Sequence, residues 1–344
     1  MDAGLLYMQR CLDLASCGAG KVAPNPLVGA VLVHNEKVIG EGFHEKFGEA
    51  HAEVNAITRA EKSFPHLISE SILYVNLEPC SHHGKTPPCT DLIIDKKIKR
   101  VIIGCLDPNP LVCGKGKQKL ISAGIEVADG ILETACRELN KYFISFHEKQ
   151  RPYITLKWAQ SDDGFIAQKN YLPVHLTNSY SDQLVHKMRA EHMAIYVGGR
   201  TVLSDNPKLT VRFWKGKNPI RVSLDTKNTF KTNLNIFNEN AETYLFNYEK
   251  YEDHENVKYI KIDPSKNYIS QILEFLYKKE INSLLVEGGA GSLNDFIKCN
   301  VWDEAKVFIS GHQLKNGVAA SAIPGKVVCE ETIFNNRLIT ALNL

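Results

Sequence analysis

The sequence predicts an α/β protein made of two layered domains in tandem. Three observations predict it. The chain has 344 residues, more than one ordinary core accommodates. Short apolar runs alternate with segments of helical spacing, the pattern of strands and helices layered on one another. That pattern breaks at the polar stretch "EKQRP" near residue 150 and then starts again. The expected domains are 1–146 and 151–344.

Taken in order, residues 5–17 place apolar side chains at helical spacing, and "GAG" at 18–20 ends that helix. "LVGAVLVHNEKVIGEGFH" reads as a hairpin, two strands about an Asn-Glu-Lys turn. "HAEVNAITRAE" is a helix, and "SILYVNLEPC" is a buried strand that runs into a loop. "PCTDLIIDKKI" is a helix opened by Pro88, followed by a strand in "RVIIGCLDPNP". "GKGKQKLISAG" and "IEVADG" add a helix and a strand, and a helix over 131–144 closes the block. In the second block a strand in "YITLKWAQS" is followed by strands at 194–198, 219–225, 242–247, 257–262, 283–287 and 305–310. Helices are expected at 179–191, 267–280 and 291–299, and 248–257 reads as a polar connector.

Composition narrows the function. A net charge of +2 gives no support for the basic face that nucleic acid demands. No apolar run approaches the roughly 18 residues that span a bilayer. The first residues mix an acid, Arg and Cys, unlike a signal peptide, so a cytoplasmic chain is expected. Nine scattered cysteines, an odd number, suggest reduced thiols rather than a disulfide framework. Cys11, Cys17, Cys105, Cys136, Cys299 and Cys329 sit in ordinary apolar contexts and are expected to serve as small core or surface residues.

One segment stands apart. "PCSHHGKTPPC", residues 79–89, packs Cys80, His82, His83, Lys85 and Cys89 among turn formers. Upstream, "HAE" puts His51 and Glu53 at the start of a helix. H-x-E followed by Pro-Cys and a further Cys is the pattern of zinc deaminases. His51, Cys80 and Cys89 supply three ligands, which leaves a fourth tetrahedral position for water. A metal there brings the pKa of that water towards neutrality, and Glu53, a carboxylate outside the ligand set, is placed to carry protons to the departing amine. Cys80 and Cys89 could instead be half of a structural zinc site, with His82 and His83, but that grouping leaves His51 and Glu53 unexplained and forms no obvious closed four-ligand set. His82 and His83 are therefore expected beside the metal rather than on it.

The longer gap between the cysteines, with "PNPLVGAVLV", "GEAHAEVNAI" and "DPNP", resembles the deaminase half of the bifunctional riboflavin-biosynthesis deaminase/reductase family. Cytidine and tRNA deaminases keep only two residues between theirs. "LKWAQSDDG", "TVLSDNPKLTVR" and "LLVEGGAGSLNDF" resemble the reductase half of the same family. The resemblance covers nearly the whole chain. It implies a cytidine-deaminase-like domain followed by a dihydrofolate-reductase-like domain, with Zn2+ and NADPH as cofactors. It also implies a phosphorylated pyrimidine substrate, 2,5-diamino-6-(5-phosphoribosylamino)pyrimidin-4-one. That substrate would be deaminated hydrolytically, and its ribosyl group then reduced to ribityl phosphate. A homo-oligomer is expected, with neither nucleic acid nor membrane as partner.

Carried over by position, Asn25 and Lys85 would meet the substrate in the first half, although a turn-forming Asn and a solvated Lys are the plain alternatives. In the second half Arg189, Leu209, Arg212 and Glu287 match substrate positions, the arginines suiting a phosphate. Ala159 and Thr226 match cofactor positions, and Thr201 and Asp205 match cofactor-side positions near the hydride transfer. The turn and helix start formed by Gly289, Ala290, Gly291, Ser292, Leu293, Asn294 and Asp295 can offer backbone N–H groups to the dinucleotide's phosphates. One stretch departs from the family. "QKNYLPVHLTN" puts Pro173 where a substrate contact is expected and His175 where an aromatic meets the cofactor, so contacts there should differ. Two other readings compete: a nucleic-acid or nucleotide deaminase with a non-catalytic second domain, and a zinc-bearing nucleotide sensor. The near-neutral charge and the long cysteine gap weigh against the first, and Glu53 is idle in the second.

Overall fold

The fold is described from a computed structural model over residues 3–82, 87–110, 112–169 and 174–344, so that His83, Lys85 and Pro173 lie outside the described residues. The chain divides between Gln150 and Arg151 into two compact units.

The first unit comprises α1 (Ala3–Ser16), β1 (Gly29–His34), β2 (Lys37–Phe43), α2 (Ala52–Ser63), β3 (Ile72–Leu77) and α3 (Cys89–Asp95). It continues with β4 (Arg100–Cys105), α4 (Lys115–Ser122), β5 (Glu126–Asp129), α5 (Glu133–Leu139) and α6 (Lys141–Lys149). Its sheet runs β2-β1-β3-β4-β5, with β1 antiparallel to both neighbours and β3, β4 and β5 parallel. The two-residue period of the strands sorts their apolar side chains between two layers. Leu32, Leu73, Val101 and Ile103 pack with Ala56 and Ile57 of α2 and Ile93 of α3. Val31, Tyr74 and Ile102 pack with Met8 and Leu12 of α1 and Cys136 of α5. Asn35 and Glu36 turn the hairpin at positive φ (44° and 62°), the backbone that a tight two-residue connection requires.

Two glycines on β2 set how close α2 lies. A Cβ at Gly40 would fall 2.3 Å from the carbonyl oxygen of Ala56, and one at Gly42 would fall 2.6 Å from the Ala56 backbone nitrogen. Only bare backbone lets this helix pack so tightly on the strand. The expected single helix over 131–144 is instead two, α5 and α6, parted at Asn140. The side chain of Asn140 accepts the N–H of Leu27 (2.7 Å) and donates to its carbonyl (2.9 Å), a tertiary demand that helical periodicity does not register.

The second unit comprises β6 (Tyr153–Ser161), β7 (Phe165–Ala167), α7 (Ser179–Glu191), β8 (Ala194–Tyr196), α8 (Gly199–Asp205) and β9 (Ile220–Leu224). There follow β10 (Thr243–Asn247), β11 (Glu252–His254), β12 (Val257–Lys261), α9 (Tyr268–Lys278), β13 (Ser283–Val286) and α10 (Ala290–Lys298). Four strands close it: β14 (Glu304–Ser310), β15 (Val318–Ala319), β16 (Lys326–Ile333) and β17 (Asn336–Leu342). The main sheet is β11-β12-β10-β9-β8-β13-β6-β14-β17-β16; its middle seven strands are parallel, and β11, β17 and β16 run against their neighbours. Leu156, Tyr196, Val222, Phe246, Val286 and Val307 from these strands share one core with Leu273 and Phe296 of α9 and α10. Asn178 caps α7 by accepting the N–H groups of Tyr180 and Ser181. The polar connector carries the short strand β11. No helix among the described residues is long and apolar enough to cross a membrane.

Candidate functional site

In the first unit, α2 begins where β2 and the glycines hold it, with His51 at its N-cap and Glu53 in its first turn. Strand β3 delivers Cys80 three residues past its end, and Cys89 is the first residue of α3. The sulfur of Cys80 lies 3.6 Å and that of Cys89 3.3 Å from Nδ1 of His51, and all three donor atoms fall within 4.8 Å of one another. The backbone tightens this cluster, since the N–H of Cys89 donates to the Cys80 sulfur at 3.3 Å.

These distances fit a tetrahedral zinc ion. Bonds of about 2.3 Å to sulfur and 2.0–2.1 Å to nitrogen set the N···S edge at roughly 3.6 Å. Two sulfurs and one imidazole are also the borderline-soft donor set that zinc favours. The thiols behave accordingly. Hydrogen bonding from Cys89 and then from His51 outweighs burial and holds Cys80 down at about 4, while the neighbouring Cys80 and burial push Cys89 well above the usual thiol range. Without a cation the pair carries one negative charge; a divalent ion would allow both to be thiolates.

Beside them is a cavity of about 310 Å³, lined among others by Asn25, His44, Glu53, His82, Asp107 and Asn109. Glu53 is 3% exposed, and burial raises its carboxyl pKa. His44 donates from Nδ1 to the Ala50 carbonyl (3.1 Å) and accepts the Asn25 amide at Nε2 (3.2 Å); burial lowers its pKa, which favours this neutral form. Asp107 rises to about 7 through burial. Its loop is anchored by Glu78, whose buried carboxylate accepts N–H groups of Asp107, Gly114 and Lys117 at 2.9–3.2 Å. Sequence reasoning named neither His44, Asp107, Asn109 nor Glu78, although "EPC" and "DPNP" hold three of them.

The second unit has a cleft of about 470 Å³ at the carboxyl ends of its parallel strands, where open α/β sheets bind ligands. Trp158, Ala159, Thr201, Asp205, Glu287 and the turn from Gly288 to Ser292 line it. The backbone there is close-packed. A Cβ on Gly288 would lie 2.7 Å from Cβ of Ser292, one on Gly198 would lie 2.3 Å from Oγ of Ser292, and the N–H of Gly289 donates to Oγ1 of Thr201 (3.2 Å). Asp295 also lines the cleft, and its carboxylate accepts the Tyr268 hydroxyl at 2.7 Å.

Other expected residues are placed differently. Arg189 is committed to Glu287, with Nε and Nη2 at 2.7 and 2.8 Å from the two carboxylate oxygens, and Lys157 approaches the same carboxylate at 3.5 Å. Burial alone would raise the Glu287 pKa, but the two cations outweigh it and hold it at about 2. Arg212 donates its backbone N–H to Nδ1 of His186 and its side chain to Thr210. His186 itself falls to about 4 through burial and the two arginines. His175 is 3.1 Å from Asp182 with its side chain 71% exposed, and it is absent from the lining of the cleft, which takes Val174 and Leu176 from either side of it. Leu209 and Leu293 are buried in apolar clusters; Thr226 and Asn294 lie off the cleft lining.

A His-Cys-Cys set with an adjacent buried glutamate, followed by an α/β unit with a glycine-lined cleft, defines a metal-dependent deaminase joined to a nucleotide-dependent reductase. Comparison with known proteins agrees. Residues 2–105 match the cytidine and deoxycytidylate deaminase zinc-binding region, and residues 152–313 match the RibD C-terminal domain. The riboflavin biosynthesis protein RibD of Aquifex aeolicus is 42% identical over 91% of this chain and 88% of its own. That of Escherichia coli K12 is 35% identical over 88% and 86%. The crystal structure of a diaminohydroxyphosphoribosylaminopyrimidine deaminase/5-amino-6-(5-phosphoribosylamino)uracil reductase from Thermotoga maritima superposes with a TM-score of 0.90 at 39% identity over 98% of both chains. RibD of Acinetobacter baumannii gives 0.89 at 30% identity over 99% and 98%. The chain belongs to the RibD family, the bifunctional deaminase/reductases of riboflavin biosynthesis. Its two units have the cytidine-deaminase-like and dihydrofolate-reductase-like folds.

Proposed function

We propose that the first unit replaces the 2-amino group of 2,5-diamino-6-(5-phosphoribosylamino)pyrimidin-4-one with oxygen from water, releasing ammonia. The second unit then reduces the ribosyl group of that product to ribityl phosphate with NADPH. The observation that carries the reading is the convergence of His51, Cys80 and Cys89 beside the buried Glu53 at one cavity. Zinc, held by those three donors, would supply an activated water at neutral pH. Glu53, whose burial raises its carboxyl pKa and so makes its carboxylate a stronger base, would take a proton from that water, deliver it to the ring nitrogen and then help expel the amine. Asn25 and His44 present an amide and a neutral imidazole to the substrate from the cavity wall.

In the second unit the turn from Gly288 to Gly291 receives the dinucleotide's pyrophosphate at the start of α10. Glu287, locked by Arg189 and Lys157, faces the reacting end of the cleft as an ionised acceptor. The nicotinamide supplies the hydride, and the protein supplies orientation. The test is to incubate the purified chain with the diaminopyrimidine phosphate, with and without NADPH, and to follow ammonia and product mass separately. Ammonia in both reactions and a reduced product only with NADPH is the expected result; no ammonia in either overturns the reading.

A further inference from the structure

We propose that Glu78 is a positioning residue of the deaminase site: it fixes the backbone that carries Asp107 and Asn109, and through them sets how well the pyrimidine is held. This rests on the reading of the first unit as a deaminase of that substrate. Glu78 directly follows β3 and stands two residues before the proposed metal ligand Cys80. Its side chain is buried at the edge of the cavity, and both of its oxygens are turned to backbone donors. Oε2 accepts the N–H groups of Asp107 (3.2 Å) and Gly114 (2.9 Å), and Oε1 accepts that of Lys117 (3.0 Å).

Two of these bonds hold a helix. α4 starts from Gly114 at φ 72°, an N-cap with no side chain to answer the helix's first N–H groups. Such groups need acceptors and favour negative charge, and Glu78 brings both from β3. Gly116 makes the approach possible, since a Cβ there would fall 2.2 Å from the Pro79 carbonyl oxygen and 3.1 Å from Oε1 of Glu78. The third bond leads to the cavity. Asp107, held by its N–H on Glu78, accepts the N–H of Asn109 at Oδ1 (2.8 Å), and the Asn109 carbonyl accepts those of Val112 and Cys113 (both 2.8 Å). Asp107, Asn109 and Val112 all line the cavity wall. One carboxylate therefore joins the strand that delivers Cys80, the start of α4 and the wall that faces the substrate. Removing it leaves three backbone N–H groups without their acceptor, and the wall loses its fixed place. The metal cluster has ties of its own: the N–H of Cys89 on the Cys80 sulfur (3.3 Å) and that of Thr90 on the Cys80 carbonyl (3.2 Å).

The experiment follows ammonia release against concentration of the diaminopyrimidine phosphate for the full-length zinc-loaded protein. Wild type is compared with Glu78→Gln, Glu78→Ala, Asn109→Ala and the double variant Glu78→Gln/Asn109→Ala, each checked by elemental analysis and circular dichroism. KM should rise about tenfold in Glu78→Gln and on the order of 100-fold in Glu78→Ala, the scale of a displacement of roughly 1 Å, while kcat changes far less and zinc is retained. Should Glu78→Ala fail to fold, Glu78→Gln, which keeps the size and shape of the side chain, carries the comparison. In the double variant KM should rise no further than in the worse of its two parents, because Glu78 acts through the segment to which Asn109 belongs. Effects that multiply in the double variant would mean that Glu78 acts by another route and overturn the proposal. A fall in kcat with KM unchanged would leave Glu78 a purely structural role and overturn it too, as would loss of zinc from Glu78→Gln. A wild-type protein that releases no ammonia would overturn the deaminase reading itself, a result distinguishable from each of those.

Discussion

Arg189 on α7 and Glu287 at the end of β13 stand 98 residues apart in sequence and form a two-pronged ion pair of 2.7 and 2.8 Å, with both side chains nearly buried. Each reads from sequence as a group reserved for substrate. Together they are first of all a fixture of the fold, one that ties a helix to the central sheet and presents a charged wall to the cleft.

Removing one partner leaves the other charge buried and unanswered. Arg189→Met is expected to cost the second unit about 3–5 kcal/mol, the usual penalty for breaking a buried pair. Urea unfolding followed by tryptophan fluorescence measures it. A loss below about 1 kcal/mol, the range of surface pairs, would show that the pair contributes little.

Acid should reveal the same contact. Glu287 titrates at about 2 in the fold against an ordinary 4.5. Above the ordinary value it is ionised in both states, and its contribution is fully present. As pH falls from there towards 2, the unfolded chain takes up a proton that the fold resists, and stability on the order of 3 kcal/mol is lost. The urea midpoint of wild type should therefore fall more steeply than that of Arg189→Met between about pH 5 and pH 3. Parallel curves would assign the acid sensitivity to other carboxyls.

Metal content should follow the donor set. Wild type is expected to hold one zinc ion per chain. Cys89→Ser should lose most of it, whereas His82→Ala, which changes the cavity wall and not the cluster, should keep it. Elemental analysis of the three proteins decides, and full zinc in Cys89→Ser would remove Cys89 from the ligand set.

Glu53→Gln should keep zinc and lose ammonia release by about 100- to 10,000-fold, the loss typical of a general acid–base group. Reduction of supplied deaminated substrate should persist, because its residues belong to the other unit. If both activities fall together while circular dichroism is unchanged, the assignment of separate sites is wrong.

Much of this was legible in the residues, for definite reasons. His51, Glu53, Cys80 and Cys89 could be read because few side chains bind a metal and their spacing survives from sequence into structure. The parallel strands of both units announced themselves as apolar runs, and α7 was matched over its whole length, 179–191. Other elements carried no such signal. The hairpin of β16 and β17 was missed because β16 is exposed nearly throughout and shows no buried alternate face. The helix α8 was missed because only Val202 in it is buried. Pairings such as Arg189 with Glu287, and Glu78 with the loop after β4, join residues that the chain keeps far apart, and local pattern does not say which acid meets which base.

The bare backbone at Gly40 and Gly42 makes catalysis depend on a place remote from any ligand. A methyl group at either position would have to move α2, and with it His51 and Glu53, which start that helix. In a survey of tolerated substitutions these two glycines should score as severely as Cys80 and Cys89, the proposed metal ligands. A substitution found there should be read as a displaced helix, not as a lost contact with the substrate.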